Sequence, residues 1–184
     1  MSSVIEYLII VPGREFCSLL AEPLPENVVA ALDRNRCISF EGDVQGSDMW
    51  VGFNISPVAV RISTHLKWTS LFTSYHDAEG IRWQKEQIAE VLEFESHLRL
   101  LLPGKKILRV DECLISTWGA LISHAENLNE IEEVDDPPDF HGWTYYGWLC
   151  ELRYVEPFFE WLKENYPPDY PEQPADYKGW VELQ

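Results

Sequence analysis

The C-terminal part of the chain combines carboxylates with aromatic rings. Residues 132–184 contain 13 acidic residues and 13 of the 24 aromatic residues, but only three basic residues. The acids at the start of this segment are Glu132, Glu133, Asp135, Asp136 and Asp139, and the aromatic residues Trp143, Tyr145, Tyr146 and Trp148 follow them directly. Carboxylates attract Lys and Arg, and aromatic rings bury a large area and stack on guanidinium groups. The pattern therefore predicts a surface that binds a basic protein.

Other interpretations of the same residues stay open. Residues 126–139 contain seven acids and no base, which is also typical of a solvated loop or linker. Their carboxylates could bind a hard cation, but the run lacks the glycine of a calcium loop, and Pro137 and Pro138 stiffen it. The aromatic residues could instead fill the core or stack on a sugar ring. We therefore predict partner binding at this segment and no metal.

Residues able to do catalysis are present without a recognisable arrangement. The chain has no P-loop, GxGxxG, HExxH or GxSxG motif. The candidates are the adjacent pair His76 and Asp77, and a nucleophile pair of Cys113 and His124. Sequence neighbours usually point apart, and the two acids before Cys113 disfavour its thiolate. We therefore predict no catalytic residues and no cofactor.

Charge and cysteine spacing restrict the partners and the compartment. A net charge of −17 disfavours direct binding of nucleic acid and of anionic membranes, since both are bound by Lys and Arg. No apolar run reaches the ~18 residues of a membrane span, and the first residues lack a basic signal region. The four cysteines, Cys17, Cys37, Cys113 and Cys150, lack the close spacing of zinc or redox sites. We expect reduced thiols in a cytoplasmic protein.

Periodicity predicts the elements that must position these residues. The clearest signal is a hairpin over residues 49–68, where apolar side chains alternate with polar ones on either side of Ser56 and Pro57. On its second strand, Arg61, His65 and Lys67 are expected to face water. Residues 4–11 form an apolar run typical of a strand buried on both faces. Residues 37–41 and 105–110 are further predicted strands.

Helices follow from spacings of three and four residues. Asp77 is the expected N-cap of a helix over residues 80–102, and Pro103 and Gly104 end it. Its predicted apolar stripe comprises Ile81, Ile88, Val91, Leu92, Leu98 and Leu102. A second helix is expected from Leu114 to about residue 128, and a third with Pro157 in its first turn.

Together these elements predict an α+β fold. An antiparallel meander of four to five strands carries helices on one face, and the aromatic-rich, proline-rich C-terminal region packs on it. We expect a core over residues 1–131 and an acidic C-terminal region over residues 132–184, within one domain. Small acidic proteins of this character include bacterial immunity proteins, which neutralise a toxin that is often a basic nuclease. The expected function is therefore that of a toxin inhibitor; the alternatives are an enzyme with an unrecognised active site, or a phage-type DNA mimic or adaptor.

Overall fold

An antiparallel sheet organises the chain. A computed structural model describes residues 4–34, 36–67, 76–117, 133–134, 144–146, 155–166 and 179–183. The strands are β1 (Val4–Ile9), β2 (Cys37–Gly42), β3 (Val51–Ile55), β4 (Val60–Lys67), β5 (Ile107–Asp111), β6 (Glu133–Val134), β7 (Thr144–Tyr146) and β8 (Trp180–Leu183). The helices are α1 (Gly13–Cys17), α2 (Glu26–Val29), α3 (Ala78–Leu101) and α4 (Val155–Asn165), with a 3-10 turn at Leu32–Arg34 and a helical segment at 112–117.

The strand order confirms the predicted meander and extends it. The order is β6-β7-β2-β3-β4-β1-β5-β8, and every neighbouring pair is antiparallel. Six strands of four or more residues, from β2 to β8, form the body of the sheet, and the short strands β7 and β6 extend one edge. The expected four to five strands were therefore too few. The strands that were missed come from the C-terminal segment, where short strands and prolines weaken the period-two signal.

Strand β1 lies inside the sheet and is buried on both faces, as predicted. Tyr7 pairs with Ile62 of β4 on one side and with Arg109 of β5 on the other. Every residue of β1 after Val4 is buried, including the charged Glu6, which is 1% exposed. A buried carboxylate requires a cation beside it, and Arg61 of the neighbouring strand β4 is that cation.

The hairpin β3-β4 is confirmed, and its apolar face packs in the core. Val51, Phe53 and Ile55 of β3 and Val60 and Ile62 of β4 are all buried. The connection is closed by Ser56, whose hydroxyl oxygen accepts a hydrogen bond from the Ala59 amide at 2.9 Å.

The expected exposure of Arg61 on the opposite face of the hairpin was wrong. The Arg61 side chain is only 17% exposed, because its guanidinium binds the Glu6 carboxylate. The two residues beyond it that were also expected to face water, His65 and Lys67, are exposed. A period-two pattern shows which residues share a face, but not whether a second layer covers part of that face.

Helices cover both faces of the sheet. Helices α1, α2 and α3 contribute to the larger core, which includes Phe16, Val28 and Phe94. The smaller core on the other face contains Leu114 and Ile115 of the 112–117 segment and Phe158, Phe159 and Leu162 of α4. The predicted helix therefore covers one face, and a second helical layer covers the other. Most of the helix expected after Leu114 lies outside the described residues.

Helix α3 begins as predicted but buries a partly different stripe. The Asp77 side chain accepts a hydrogen bond from the Gly80 amide at 2.7 Å, which confirms the N-cap. Val91, Leu98 and Leu102 are buried as expected, together with Phe94 and Glu95. Leu92, by contrast, is 51% exposed. It follows Val91 directly, and successive residues are rotated by about 100° around a helix, so its side chain points away from the buried stripe.

Within the described residues, no helix is both long enough and apolar enough to cross a bilayer.

Candidate partner-binding site

Residues 133–134 of the predicted acidic segment and residues 144–146 of the predicted aromatic segment lie on adjacent strands at one edge of the sheet. Glu133 of β6 pairs with Tyr146 of β7, and Val134 pairs with Tyr145. Strand β7 in turn pairs with β2, through Tyr146 with Cys37 and Tyr145 with Ile38. Part of the run expected to be a loop is therefore a strand. The other predicted site residues, Glu132, Asp135, Asp136, Asp139, Trp143 and Trp148, lie outside the described residues.

A second region that combines acids with aromatic residues lies along the same strand β2, and sequence reasoning missed it. We call it the Trp50 groove, a depression of about 150 Å³ lined by Leu20, Glu22, Pro23, Leu24, Pro25, Phe40, Glu41, Gly42, Asp43 and Trp50. The lining comes from the end of β2, from the residue before β3 and from the connection between α1 and α2. No local pattern unites these segments, which is why the sequence did not reveal the groove.

Backbone hydrogen bonds hold the walls of the groove in place. The Ala21 amide donates to the Asp43 carbonyl at 3.0 Å, and the Gln45 amide donates to the Leu19 carbonyl at 2.8 Å. Residues 19–21 are thereby fixed against residues 43–45. The Phe40 ring stacks on buried Phe53, with 4.9 Å between the ring centroids, so this part of the lining is anchored in the larger core. The groove is therefore preformed.

An exposed indole lies beside carboxylates in this groove. Trp50 is 61% exposed, and its Nε1 donates to Glu41 Oε2 at 3.4 Å. Glu22 and Asp43 supply two further carboxylates, and the described lining contains no Lys or Arg. A cation placed here would meet both an aromatic face and negative charge.

The loop over residues 43–50 also borders a second acidic depression. A hollow of about 180 Å³, here called the His97 hollow, is lined by Gly46, Ser47, Asp48, Met49, Glu90, Glu93, Phe94 and His97. The His97 ring nitrogen Nε2 contacts the Gln45 carbonyl oxygen, and Gly46 has a φ of 76°. The ring thus holds the loop at a left-handed turn that glycine adopts readily. Asp48, Glu90 and Glu93 add three carboxylates, with no Lys or Arg in the described lining.

The candidate catalytic residues do not converge in the described part of the molecule. His76 precedes α3 and His97 lies in its last turns; 21 residues at about 1.5 Å each separate them by roughly 30 Å. The Asp77 carboxylate beside His76 caps the helix instead. Cys113 donates its amide to Asp111 Oδ1 at 2.8 Å in the segment that packs on the opposite face from α3, and His124 lies outside the described residues.

The described ranges likewise contain no assembled metal site, and the Cys17 thiol is not activated. No group of three or more His, Cys, Asp or Glu side chains there is arranged to hold a metal ion. Cys17 and Cys37 are buried, and Cys113 is half-buried. Burial raises the pKa of the Cys17 thiol to about 11, so this thiol is protonated at neutral pH and a poor nucleophile.

Comparison with known proteins yields no family, no curated relative and no solved structure that matches this chain.

Proposed function

We propose that this protein is an acidic interaction protein of the cytoplasm that binds and neutralises a basic protein, in the manner of a bacterial toxin-immunity protein. The observation that carries the proposal is the position of both acidic and aromatic regions on β2. Residues 37–39 of β2 pair with β7, and residues 40–42 line the Trp50 groove. One strand thus supports two regions that attract the same kind of partner.

Charge supports fast and selective encounter with such a partner. The net charge of −17 gives a long-range attraction for basic proteins, and concave acidic surfaces concentrate that field. The Trp50 groove and the His97 hollow are both acidic, and their described linings have no Lys or Arg to cancel the charge. These carboxylates are expected to act mainly on the association rate.

Aromatic residues support a long-lived complex once contact is made. Aromatic side chains bury about 150–250 Å² each, against about 800 Å² that each partner buries in a standard interface. The exposed indole of Trp50 is therefore a candidate for a substantial share of such an interface. We assign the predicted aromatic residues Trp143, Tyr145, Tyr146 and Trp148 to the same interface, with the acids Glu132, Glu133, Asp135, Asp136 and Asp139 beside them.

The two alternatives fit the described residues less well. A DNA mimic needs carboxylates spaced like phosphates over a long, mostly convex face, whereas the acids of the Trp50 groove and the His97 hollow line concave surfaces beside apolar residues. An enzyme needs a nucleophile or general base with its partners. Of the candidates, His76 lies before α3, and Cys113 lies in the segment that packs on the other face of the sheet.

The test is a kinetic comparison of variants against a purified basic partner. The first candidate is the product of the gene next to the one for this protein, because an immunity gene adjoins its toxin gene. We expect inhibition of that protein's activity at equimolar ratio. Asp135→Lys with Asp136→Lys should slow association and reduce its salt dependence. Trp143→Ala should accelerate dissociation. If this residue is central, the free energy of binding should weaken by about 2 kcal/mol.

A charge-reversal control at another surface separates a specific effect from a general loss of negative charge. Glu164 of α4 is exposed and belongs to the helix on the second face of the sheet. Glu164→Lys should leave association nearly unchanged. If folded Asp135→Lys/Asp136→Lys and Trp143→Ala variants bind the partner with parental kinetics, residues 132–148 are not the interface.

A further inference from the structure

We propose that the Trp50 groove is the subsite for an arginine side chain of the basic partner, an inference that rests on the proposed function and deepens it. The groove has the size of a single side chain. Its volume is about 150 Å³. Small-molecule sites measure ~300–1,000 Å³, so the groove suits one side chain rather than a cofactor or a metabolite.

The chemistry of the lining selects a cation with an extended apolar stem. Leu20, Leu24, Pro25 and Phe40 offer apolar contact along the groove, while Glu22, Glu41 and Asp43 place carboxylates around it. An arginine side chain has this distribution, with three methylenes that favour apolar surface and a charged end that favours carboxylates. Charge complementarity therefore decides against an apolar or acidic segment as the occupant.

Trp50 and Glu41 favour a guanidinium over an ammonium group. The Trp50 indole donates to Glu41 Oε2, which orients the ring while leaving the residue 61% exposed. A planar guanidinium can stack on such a ring and still donate to carboxylates in its own plane. A lysine ammonium is a point charge with a tighter hydration shell and gains less from stacking. The groove is thus expected to discriminate between the two basic side chains.

The groove is also preformed in the absence of a ligand. Phe40 is stacked on a buried ring, and the hydrogen bonds of Ala21 and Gln45 fix the neighbouring backbone. A preformed site avoids the entropic cost of ordering its own side chains on binding. An arginine could therefore anchor the partner here while the surface around β6 and β7 supplies further contact.

The test uses three peptides that differ only in the type of side chain at two positions. The probe is Ac-Gly-Arg-Gly-Arg-Gly-amide, and the comparison peptides carry citrulline or lysine at both arginine positions. Citrulline has nearly the shape of arginine but no charge. Binding is followed by NMR of the ¹⁵N-labelled indole groups in the full chain, and the Trp50 signal is assigned by its loss in Trp50→Phe.

We expect the arginine peptide to shift the Trp50 indole signal in a saturable way, and to bind about tenfold more tightly than the citrulline peptide. The lysine peptide should bind several-fold more weakly than the arginine peptide. Glu41→Gln should weaken arginine binding several-fold, whereas Glu164→Lys should not. Trp83, exposed on α3, supplies the matched aromatic control, since Trp83→Ala should leave the Trp50 shift unchanged.

Three results would overturn the inference. They are equal binding of the citrulline peptide, equal binding of the lysine peptide, and an arginine-induced shift that is confined to tryptophans other than Trp50. The partner assay then separates the two proposals. If the partner binds Trp50→Ala with parental kinetics but loses affinity for Trp143→Ala, the arginine subsite is wrong and the proposed function stands. If arginine binds at Trp50 but no basic partner is inhibited, the subsite stands and the proposed function fails.

Discussion

Two groups of carboxylates in this protein have opposite surroundings. At the centre of the sheet, Glu6 is 1% exposed; it accepts two hydrogen bonds of 2.7 Å from Arg61 and one of 2.9 Å from Ser63. Glu95 is 3% exposed and accepts from Arg109 at 2.8 Å and from Tyr7 at 3.2 Å. In the Trp50 groove, Glu22 and Glu41 are exposed, and no Lys or Arg belongs to the described lining.

The difference separates carboxylates that stabilise the fold from carboxylates available to a partner. A buried charge must be compensated within the molecule, so removing its cation leaves a large desolvation cost. An exposed acid without a cation is solvated by water and can exchange that water for a ligand at little cost. Negative charge in this chain therefore has two roles, and burial decides which one each residue takes.

The largest expected effect is that of Arg61→Glu. The change removes the cation from buried Glu6 and places a second carboxylate beside it, so we expect a loss of about 3–5 kcal/mol in the free energy of unfolding. Lys67→Glu is the control, because Lys67 is exposed on the same face of the same strand. Urea unfolding of the two variants measures the difference. Equal midpoints would show that the Glu6–Arg61 pair does not stabilise the fold.

A matched substitution in both regions sharpens the comparison. Glu6→Gln removes a buried charge from its guanidinium partner and should cost about 2–4 kcal/mol. Glu41→Gln makes the same chemical change in the exposed groove and should alter the free energy of unfolding by less than about 0.5 kcal/mol. Chemical denaturation is again the measurement. A cost for Glu41→Gln as large as that for Glu6→Gln would mean that the groove acids are structural.

Alkaline pH should destabilise the fold through two buried groups, the Tyr7 hydroxyl and the Cys17 thiol. Burial, and then the Glu95 carboxylate, raises the pKa of Tyr7 above its ordinary value of 10.0, and burial raises the pKa of Cys17 from 9.0 to about 11. The unfolded chain releases these protons at lower pH than the folded chain does. The free energy of unfolding should therefore fall as the pH rises above about 9, and it should continue to fall through about pH 11.

Tyr7→Phe tests the tyrosine's part in this pH dependence. The variant loses the hydrogen bond to Glu95 and should be less stable at neutral pH by about 1–2 kcal/mol. It should also lose less stability than the parent between about pH 9 and about pH 11. Urea midpoints across this range supply the measurement. Parallel pH profiles for the variant and the parent would exclude Tyr7 as a source of the alkaline sensitivity.

The smallest expected effect concerns neutralised groove acids. Glu22→Gln with Asp43→Asn reduces repulsion in a protein of charge −17, so stability should stay constant or rise by a few tenths of a kcal/mol. The dependence of stability on salt should become slightly weaker. Thermal melts at low and high salt give the comparison. A lower melting temperature for this variant would place Glu22 or Asp43 among the carboxylates that hold the fold.

The amino-acid sequence by itself determined the elements with long, regular patterns. The alternation over residues 49–68 specified β3 and β4, the apolar run at residues 4–11 specified a strand buried on both faces, and Asp77 marked the start of α3. Each signal is local, because side-chain direction follows directly from the backbone period of two or 3.6 residues. The acidic composition likewise followed from the sequence, as did the proximity of acids and aromatics along residues 132–148.

Only the tertiary structure decided which polar residues are covered and which acids meet at one surface. Arg61 looked solvent-facing in its strand, but Glu6 lies beside it on the neighbouring strand β1. The Trp50 groove joins the connection before α2, the end of β2 and the residue before β3, and no local period links these segments. Burial and charge pairing depend on contacts between residues distant in the chain, whereas periodicity records only the geometry of each segment.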